Sequence, residues 1–310
     1  MPTSSSVVVS TGLLRGFWPH RSAPAEPADW AEPLSLLADL GDAEIEFSQF
    51  WGPLDHMTDA QMRALRGVLD DLGLSVSGVS LVGTNLHNDE TGSTYDRVLR
   101  TIAQVALLGG SVVSLGPHPM RATPLTPSQA APYPTVTDAD VSAFAAPLRK
   151  LADFAATAQI ALSLEMHEQT MLHSSRHVLR VLEATGAPNV GANPDLGNLI
   201  RATAPMAETY EETITALGGS INYWHVKNAM RVETGSGIYR AFPTPMPSGL
   251  IDYRAMLAVA FEAGFAGPLV IEHSAGDILH HARESVSYLR SLLADLTLSS
   301  APGAQQCSHE

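Results

Sequence analysis

The sequence alternates eight times between a short apolar segment and a longer segment with helical periodicity. The apolar segments begin near residues 7, 43, 75, 111, 160, 190, 221 and 268, and each is followed by a predicted helix. Continuous apolar strands joined by helices are typical of parallel sheets, because the crossover helices cover both faces of the sheet. Eight such units predict an α/β fold, a single closed (β/α)8 barrel of the TIM type, in which all strands end on one rim.

One such barrel accounts for nearly all of the 310 residues. We assign residues 1–298 to the barrel domain, with long loops after strands 4 and 7. Six prolines between residues 117 and 134 mark the first loop, and residues 231–249 form the second. Residues 299–310 are rich in Ser, Ala, Gly and Gln, so we predict a disordered C-terminal tail.

Two helix starts follow from single residues. Thr58 precedes a predicted helix over residues 59–72, and Gly73 lies just past its end, where a left-handed residue is favoured. Asp252 follows Gly249 before another predicted helix. A carboxylate in that place is more often a helix N-cap than a catalytic group.

Four predicted strands end on side chains that bind metals. Three apolar segments close on Glu165, Asp195 and Glu272, and a fourth carries His225 followed by Lys227. Strand side chains alternate, so His225 and Lys227 share one face. Because the ends of parallel strands lie on one rim, we expect the three acids and the imidazole to converge. Such a set suits Mn²⁺, Mg²⁺ or Co²⁺, since three carboxylates without a cation would repel one another.

Composition excludes several classes of function. Hydrophobic residues make up 45% of the chain and charged residues 16%, as in ordinary globular proteins, and no apolar stretch is long enough to span a membrane. The formal net charge of −14 disfavours a nucleic-acid partner. The N-terminus lacks the features of a secretory signal and Cys307 is the single cysteine, so we expect a cytoplasmic protein.

Five motifs resemble the xylose isomerase-like superfamily of sugar isomerases and epimerases. They are LSLEMH, NPDLGN, YWHVKN, SGLIDY and VIEHS, which contain Glu165, Asp195, His225, Asp252 and Glu272 in that order. The resemblance implies that the first two acids, the histidine and the last glutamate bind one divalent metal, with Mn²⁺ the first expectation and Mg²⁺ or Co²⁺ the alternatives. It also implies a small carbohydrate substrate, and an oligomer, since relatives are commonly multimeric.

The resemblance also implies roles in proton transfer. In the ketose 3-epimerases of this superfamily, two carboxylates take and return the proton next to the carbonyl, which corresponds here to Glu165 and Glu272. Lys227 belongs to the same catalytic group. Arg231 resembles an arginine that holds substrate hydroxyls, and we add Trp51 as an aromatic substrate contact, although a core or dimer contact is an equal alternative for it.

The sequence departs from the epimerase pattern at three positions. Asn198 stands where those enzymes carry a histidine, and we assign it to substrate binding. Met171 replaces a second glutamate, and the HxKD motif ends in Asn228. The acid and base groups then include His118, at the end of strand 4, or His167, two residues after Glu165.

These departures leave a second branch open. The catalytic subunits of C-glycoside deglycosidases share the barrel and metal set, cleave 3-oxo-glycosides by β-elimination through an enolate, and work with a smaller partner subunit. The proline-rich loop and the aromatic pair Phe50 and Trp51 suit a bulky glycoside or such a partner. An apurinic endonuclease or a non-enzymatic binding barrel are more distant alternatives, and the acidity of the chain disfavours the endonuclease.

Overall fold

The structure is a computed structural model that describes residues 5–16, 27–40, 44–49, 51, 54–120, 132–235, 237–272 and 276–299. Within these ranges the strands are β1 (Val7–Ser10), β2 (Glu44–Ser48), β3 (Ser75–Val82), β4 (Val112–Gly116), β5 (Ala161–Glu165), β6 (Val190–Asn193), β7 (Trp224–Val226), β8 (Asn228–Glu233), β9 (Tyr239–Thr244) and β10 (Leu269–Ile271). The helices are α1 (Pro27–Ala38), α2 (Asp59–Asp71), α3 (Ser93–Leu108), α4 (Asp138–Thr157), α5 (Ser175–Thr185), α6 (Leu196–Ile200), α7 (Tyr210–Leu217), α8 (Tyr253–Glu262) and α9 (Ile278–Ser299).

Eight of the strands form one parallel sheet in the order β6-β5-β4-β3-β2-β1-β10-β7. Its two edges meet, because Ala192 in β6 forms a parallel bridge with Ile221 just before β7. The side chain of Asn222 strengthens this seam, since its amide donates to the carbonyl of Leu162 at 3.0 Å and its oxygen accepts from the Ser163 hydroxyl at 2.7 Å. The predicted (β/α)8 barrel is thus confirmed.

The helices pack on the barrel through apolar faces, and their ends carry the signals expected from the sequence. The Thr58 hydroxyl accepts from the backbone N–H of Gln61, and the Gln61 side chain accepts from the N–H of Thr58. Gly73 has φ of 66°, the left-handed conformation that glycine adopts without strain. Asp252 is the N-cap of α8 and accepts from the N–H of Ala255 at 3.1 Å. Both predicted helix starts are confirmed.

The connection after β7, predicted as a long loop, contains regular secondary structure. It contains the antiparallel hairpin β8–β9, in which Met230 pairs with Phe242 and Val232 pairs with Arg240. Asn228, the residue that ends the HxKD-like motif, anchors the hairpin base, because its side-chain amide donates to the carbonyls of Met246 and Ile251. The hairpin lies on the same side of the barrel as the strand ends.

Several predictions concern residues that the structure does not describe. They are the middle of the proline-rich loop, residues 121–131, together with Phe50 and the tail after α9. None of the helices in the described ranges reaches the length and hydropathy that spanning a bilayer requires.

Candidate metal centre

Four side chains meet at the C-terminal rim of the barrel. Glu165 is the last residue of β5, Asp195 follows β6, His225 lies in β7 and Glu272 follows β10. Each offers one ligand atom, and these atoms all lie within 4.8 Å of one another. Because parallel strands bring their carboxyl ends to one rim, residues up to 107 positions apart in the sequence, from 165 to 272, share one small volume.

Glu165 reaches the centre because its neighbour on β4 has no side chain. A Cβ atom placed on Gly116 would lie 2.7 Å from Oε2 of Glu165. The carboxylate is only 3% exposed, and its Oε1 accepts a hydrogen bond from the amide of Asn198 at 3.0 Å. The same amide donates to the carbonyl of Met166 at 3.1 Å. Asn198, predicted to contact substrate, thus lies directly against a predicted ligand.

His225 is fully buried and faces carboxylates through both ring nitrogens. Its Nε2 lies 2.8 Å from Oε2 of Glu46, and its Nδ1 lies 3.4 Å from Oε1 of Glu165 and 3.6 Å from Oε2 of Glu272. Burial alone would lower the pKa of the imidazole, but Glu46, Glu272 and Glu165 raise it well above its ordinary value. Sequence reasoning missed Glu46, which lies in the middle of the alternating strand β2 and not at the end of an apolar strand.

Lys227 joins two of the predicted ligands. Its Nζ lies 2.6 Å from Oδ2 of Asp195 and 2.8 Å from Oε2 of Glu272. Gly197 permits this position, because a Cβ atom there would overlap Cγ of Lys227. The predicted sharing of one face by His225 and Lys227 agrees with their common contact to Glu272.

The ligand carboxylates differ in their proton affinity. Burial raises the pKa of Asp195 to about 6 against the attraction of Lys227 and His225. Burial also favours the neutral forms of Glu165 and Glu272, but the cationic groups outweigh it and hold both pKa values below the ordinary range. His225 is the main opposing charge for Glu165, and Lys227 for Glu272. Both glutamates are therefore ionised at neutral pH.

The residues present fit a divalent cation. Opposite ligands of a small divalent ion lie about 4 to 5 Å apart, close to the 4.8 Å spread of these atoms. Oε2 of Glu165 and Nδ1 of His225 are buried, and neither makes a hydrogen bond within the described part of the chain. Three carboxylates with one imidazole match the preference of Mg²⁺, Mn²⁺ and Co²⁺ for oxygen donors with nitrogen tolerated.

Neither of the two histidines predicted as alternative acid or base groups belongs to the cluster of four candidate ligands. His167 forms an ion pair through Nδ1 with Oε2 of Glu168 at 2.7 Å, and Arg201 contacts the other oxygen of the same carboxylate at 2.8 Å. Burial lowers the pKa of His167, but Glu168 raises it above its ordinary value. His118 is exposed, and its backbone N–H donates to Oδ1 of Asn85 at 2.7 Å. Catalytic roles for both histidines stay predictions.

Arg231 lies on the hairpin and is held by the chain itself. Its guanidinium donates to the carbonyl of Ala202 at 3.0 Å and to that of Ala204, and it stacks over the ring of Tyr239 at 3.9 Å. These contacts tie the hairpin to the segment after α6. A substrate contact for Arg231 stays a prediction.

Trp51 is placed among core side chains. Only 4% of it is exposed, and its ring centroid lies 5.3 Å from that of Phe47. This position corresponds to the core alternative that the sequence left open for Trp51, and a sugar contact stays a prediction.

A pocket of about 130 Å³ opens beside Lys227. Its wall is formed by Lys227, by residues in and just after α6, and by both strands of the hairpin: Gly197, Arg201, Lys227, Asn228, Ala229, Ala241 and Pro243. The hairpin thus forms one side of this pocket, and a small polar molecule in the pocket would contact Lys227.

Known proteins share this architecture. Over 125 residues the chain is 26% identical to L-ribulose-5-phosphate 3-epimerase UlaE of Salmonella paratyphi C (strain RKS4594), which covers 40% of this chain and 40% of that protein, so the match spans less than half of the curated relative. A xylose isomerase-like TIM barrel protein from Mycobacterium smegmatis, solved in complex with magnesium, is 28% identical with a TM-score of 0.80 and covers 95% of this chain and 98% of its own.

A further solved structure shares the fold at lower identity. L-ribulose 3-epimerase superposes with a TM-score of 0.71 at 18% identity, over 97% of this chain and 100% of that one. Across the chain as a whole, residues 34–292 match one family. With the barrel and its rim established, the chain belongs to the family described as Xylose isomerase-like TIM barrel.

Proposed function

We propose that this chain is a divalent-metal-dependent enzyme that moves a proton at the carbon next to the carbonyl of a small sugar or oxo-sugar, giving isomerisation or epimerisation. The observation that carries the proposal is the buried set of three carboxylates and one imidazole with all ligand atoms within 4.8 Å. Glu165, Asp195, His225 and Glu272 would hold the cation, with Mn²⁺ the first candidate.

The bound cation would supply Lewis-acid polarisation of the carbonyl and its neighbouring hydroxyl. The chain supplies the groups that move the proton. Glu165 and Glu272 have lowered pKa values, so both are in the basic form that accepts a proton at neutral pH. Lys227 donates a hydrogen bond to Glu272 at 2.8 Å, which keeps that carboxylate charged and oriented.

The substrate would approach beside Lys227. The pocket there measures about 130 Å³, so it accommodates part of a small carbohydrate with the remainder over the rim. Lys227 and Arg201 are the charged groups in its wall. Donors of this kind bind hydroxyl and carbonyl oxygens.

Relatives support a sugar as the substrate class. UlaE is named as an L-ribulose-5-phosphate 3-epimerase, and the M. smegmatis relative at 28% identity was solved with magnesium. Both the class of reaction and the need for a divalent cation are therefore consistent with the residues at the rim.

Proton exchange tests the proposal. The Mn²⁺-loaded protein is incubated with a panel of free and phosphorylated ketoses in deuterated water, and the sugars are recovered and examined by NMR and mass spectrometry. We expect exchange of the C–H next to the carbonyl together with a new epimer or isomer. Glu272→Gln should abolish exchange, while Glu262→Gln at the exposed end of α8 should not. No exchange with any sugar would contradict the proposal.

The same experiment separates the lyase outcome. A 3-oxo-C-glucoside is added to the panel, and release of its aglycone is measured by chromatography. Cleavage of that compound without epimerisation of ketoses would assign the chain to a C-glycoside deglycosidase reaction. Purification from the native host would then show whether a smaller second subunit accompanies the chain, and light scattering would give the oligomeric state.

A further inference from the structure

A fourth carboxylate, outside the four candidate ligands, faces the candidate metal centre. Glu46 lies in the middle of β2, and its side chain is fully buried. Its Oε2 lies 2.8 Å from Nε2 of His225, a residue 179 positions away in the sequence. In the sheet, β1 and β10 separate β2 from β7. The contact therefore crosses the barrel interior and is not a pair between neighbouring strands.

The contact determines which ring nitrogen of His225 carries the proton. An ionised carboxylate only accepts hydrogen bonds, so beside an ionised Glu46 the ring nitrogen Nε2 carries the proton and donates it. In the neutral ring, Nδ1 then has a free lone pair. Nδ1 is the nitrogen that faces Glu165 and Glu272, at 3.4 and 3.6 Å from their oxygens.

Other contacts fix the ring less completely. The backbone N–H of His225 donates to Oδ1 of Asn193 at 2.8 Å, which positions the main chain and leaves the ring free to rotate. The ring of Tyr223 lies 5.6 Å away with its edge toward the imidazole. Within the described residues, Glu46 is the group that makes a close polar contact to Nε2.

We propose that Glu46 is a positioning residue, which holds His225 in the tautomer protonated at Nε2 and so directs Nδ1 toward the cation. The inference rests on the metal site of the proposed function. A carboxylate that accepts from the distal nitrogen of a metal-bound histidine fixes the ring orientation and raises the basicity of the ligand nitrogen. Burial raises the pKa of Glu46 above its ordinary value, and the contact to His225 opposes that rise.

Metal affinity is the first measurement. The full chain is freed of metal with EDTA and titrated with Mn²⁺ by calorimetry at neutral pH. Glu46→Gln preserves the shape of the side chain but offers either an oxygen or an NH₂ group to Nε2, so it no longer selects one tautomer. We expect the dissociation constant for Mn²⁺ to rise about 10- to 100-fold.

A second residue on the same strand gives a matched control. Glu44 is the first residue of β2, two positions before Glu46 and on the same face of the strand, and it is half-buried. Glu44→Gln removes one charge, as Glu46→Gln does, and it should leave the affinity for Mn²⁺ within about twofold of the wild-type value. An equal loss in both variants would mean that general electrostatics, and not a specific contact, sets the affinity, and would overturn the inference.

Histidine NMR on the wild-type protein tests the same point without any substitution. Mg²⁺ is used as a diamagnetic probe, and ¹⁵N-labelled histidine reports which ring nitrogen of His225 is protonated. We expect a proton on Nε2, shifted downfield by its bond to a carboxylate, and loss of that shift in Glu46→Gln. A proton on Nδ1, or an unchanged spectrum in Glu46→Gln, would overturn the inference even if the variant proved unstable.

The outcomes distinguish this inference from the proposed function. If the wild-type chain binds no divalent cation, both fail together. If it binds Mn²⁺ and Glu46→Gln binds it equally well, only the role of Glu46 fails and the proposed function stands. If Glu46→Gln merely melts at a lower temperature with unchanged affinity, Glu46 is a structural partner and the inference is wrong.

Discussion

Lys227 connects the four candidate ligands to the neighbouring pocket. Its Nζ contacts Asp195 and Glu272 at 2.6 and 2.8 Å, while its stem lines the pocket. The two contacts raise the pKa of the lysine against the effect of its burial, so the group is cationic. In the proposed reaction it would orient Glu272 and donate to a substrate oxygen at the same time.

We predict that Lys227→Met lowers the rate of substrate proton exchange at least about 100-fold, the lower range for loss of a positioned acid or base group. The reason is that Glu272 loses its donor and the substrate loses a cationic contact. All four candidate metal ligands remain, so metal analysis should still find about one ion per chain.

The chain contains its own control for that variant. Lys150 is the other lysine in the sequence, and it is exposed on α4. Lys150→Met should exchange substrate protons at the wild-type rate. If both variants keep full activity, Lys227 has no part in the reaction, and if Lys227→Met loses its metal, the lysine acts mainly by holding the carboxylates in place.

The lowered pKa of His177 makes the free energy of unfolding depend on pH. Burial, with the neighbouring His173 and Arg180, lowers the pKa of His177 to about 4. Between about pH 4 and 6.5 the unfolded chain therefore binds a proton at this residue that the folded chain does not. Above that window His177 does not lower the free energy of unfolding. As the pH falls through the window, protonation of His177 in the unfolded chain lowers the free energy of unfolding.

The measurement is denaturant unfolding at several pH values from 4 to 7. We expect His177→Gln to reduce the fall in unfolding free energy between pH 6.5 and 4. A slope unchanged by His177→Gln would show that other groups cause the acid sensitivity.

The sequence pattern reveals some acidic residues of the site and not others. Glu165, Asp195 and Glu272 were recognisable because each ends an apolar strand. Glu46 was not, since β2 alternates Glu, Ile, Glu, Phe, Ser, the pattern of a strand with one polar face in water. Only closure of the barrel buries that face, and closure depends on contacts far apart in the sequence.

At the scale of elements, helices and barrel strands could be predicted because their signals are local. Capping residues, glycines and apolar periodicity each act within a few positions. The hairpin β8–β9 escaped prediction, since Pro243, Pro245 and nearby glycines are typical of loops. Its stability comes from contacts to other segments, such as the bond of Arg231 to Ala202, which no local pattern indicates.

The N-cap of α2 contributes to the stability of the chain. The Thr58 hydroxyl accepts from the N–H of Gln61 at 3.3 Å at an exposed helix start. Thr58→Ala should therefore lower the unfolding free energy by about 1 kcal/mol, because the first turn of α2 loses a hydrogen-bond acceptor. Thr58→Ser keeps the hydroxyl and should retain most of the stability. Equal stability of the two variants in denaturant unfolding would contradict the role of the cap.

For the whole molecule, the candidate metal centre lies where the barrel closes. The predicted ligands come from β5, from β7 and from the residues after β6 and β10. The seam between β6 and β7 has a bridge at Ala192 and Ile221 and no continuous ladder. Ligands on both sides of that seam, Asp195 and His225, would be drawn together by one cation. Metal binding and barrel stability should therefore be coupled.

The coupling can be measured, because a ligand that binds only the folded chain stabilises it by mass action. At a free Mn²⁺ concentration about 100 times the dissociation constant, we expect the unfolding free energy to rise by about 2.7 kcal/mol, and EDTA should reverse the change. His225→Ala removes a ligand on one side of the seam, so its stability should not respond to Mn²⁺ over the same range. A wild-type chain whose unfolding is unchanged by Mn²⁺ at any concentration would not contain the site, because a cation held by four elements of the folded barrel cannot bind without shifting that equilibrium.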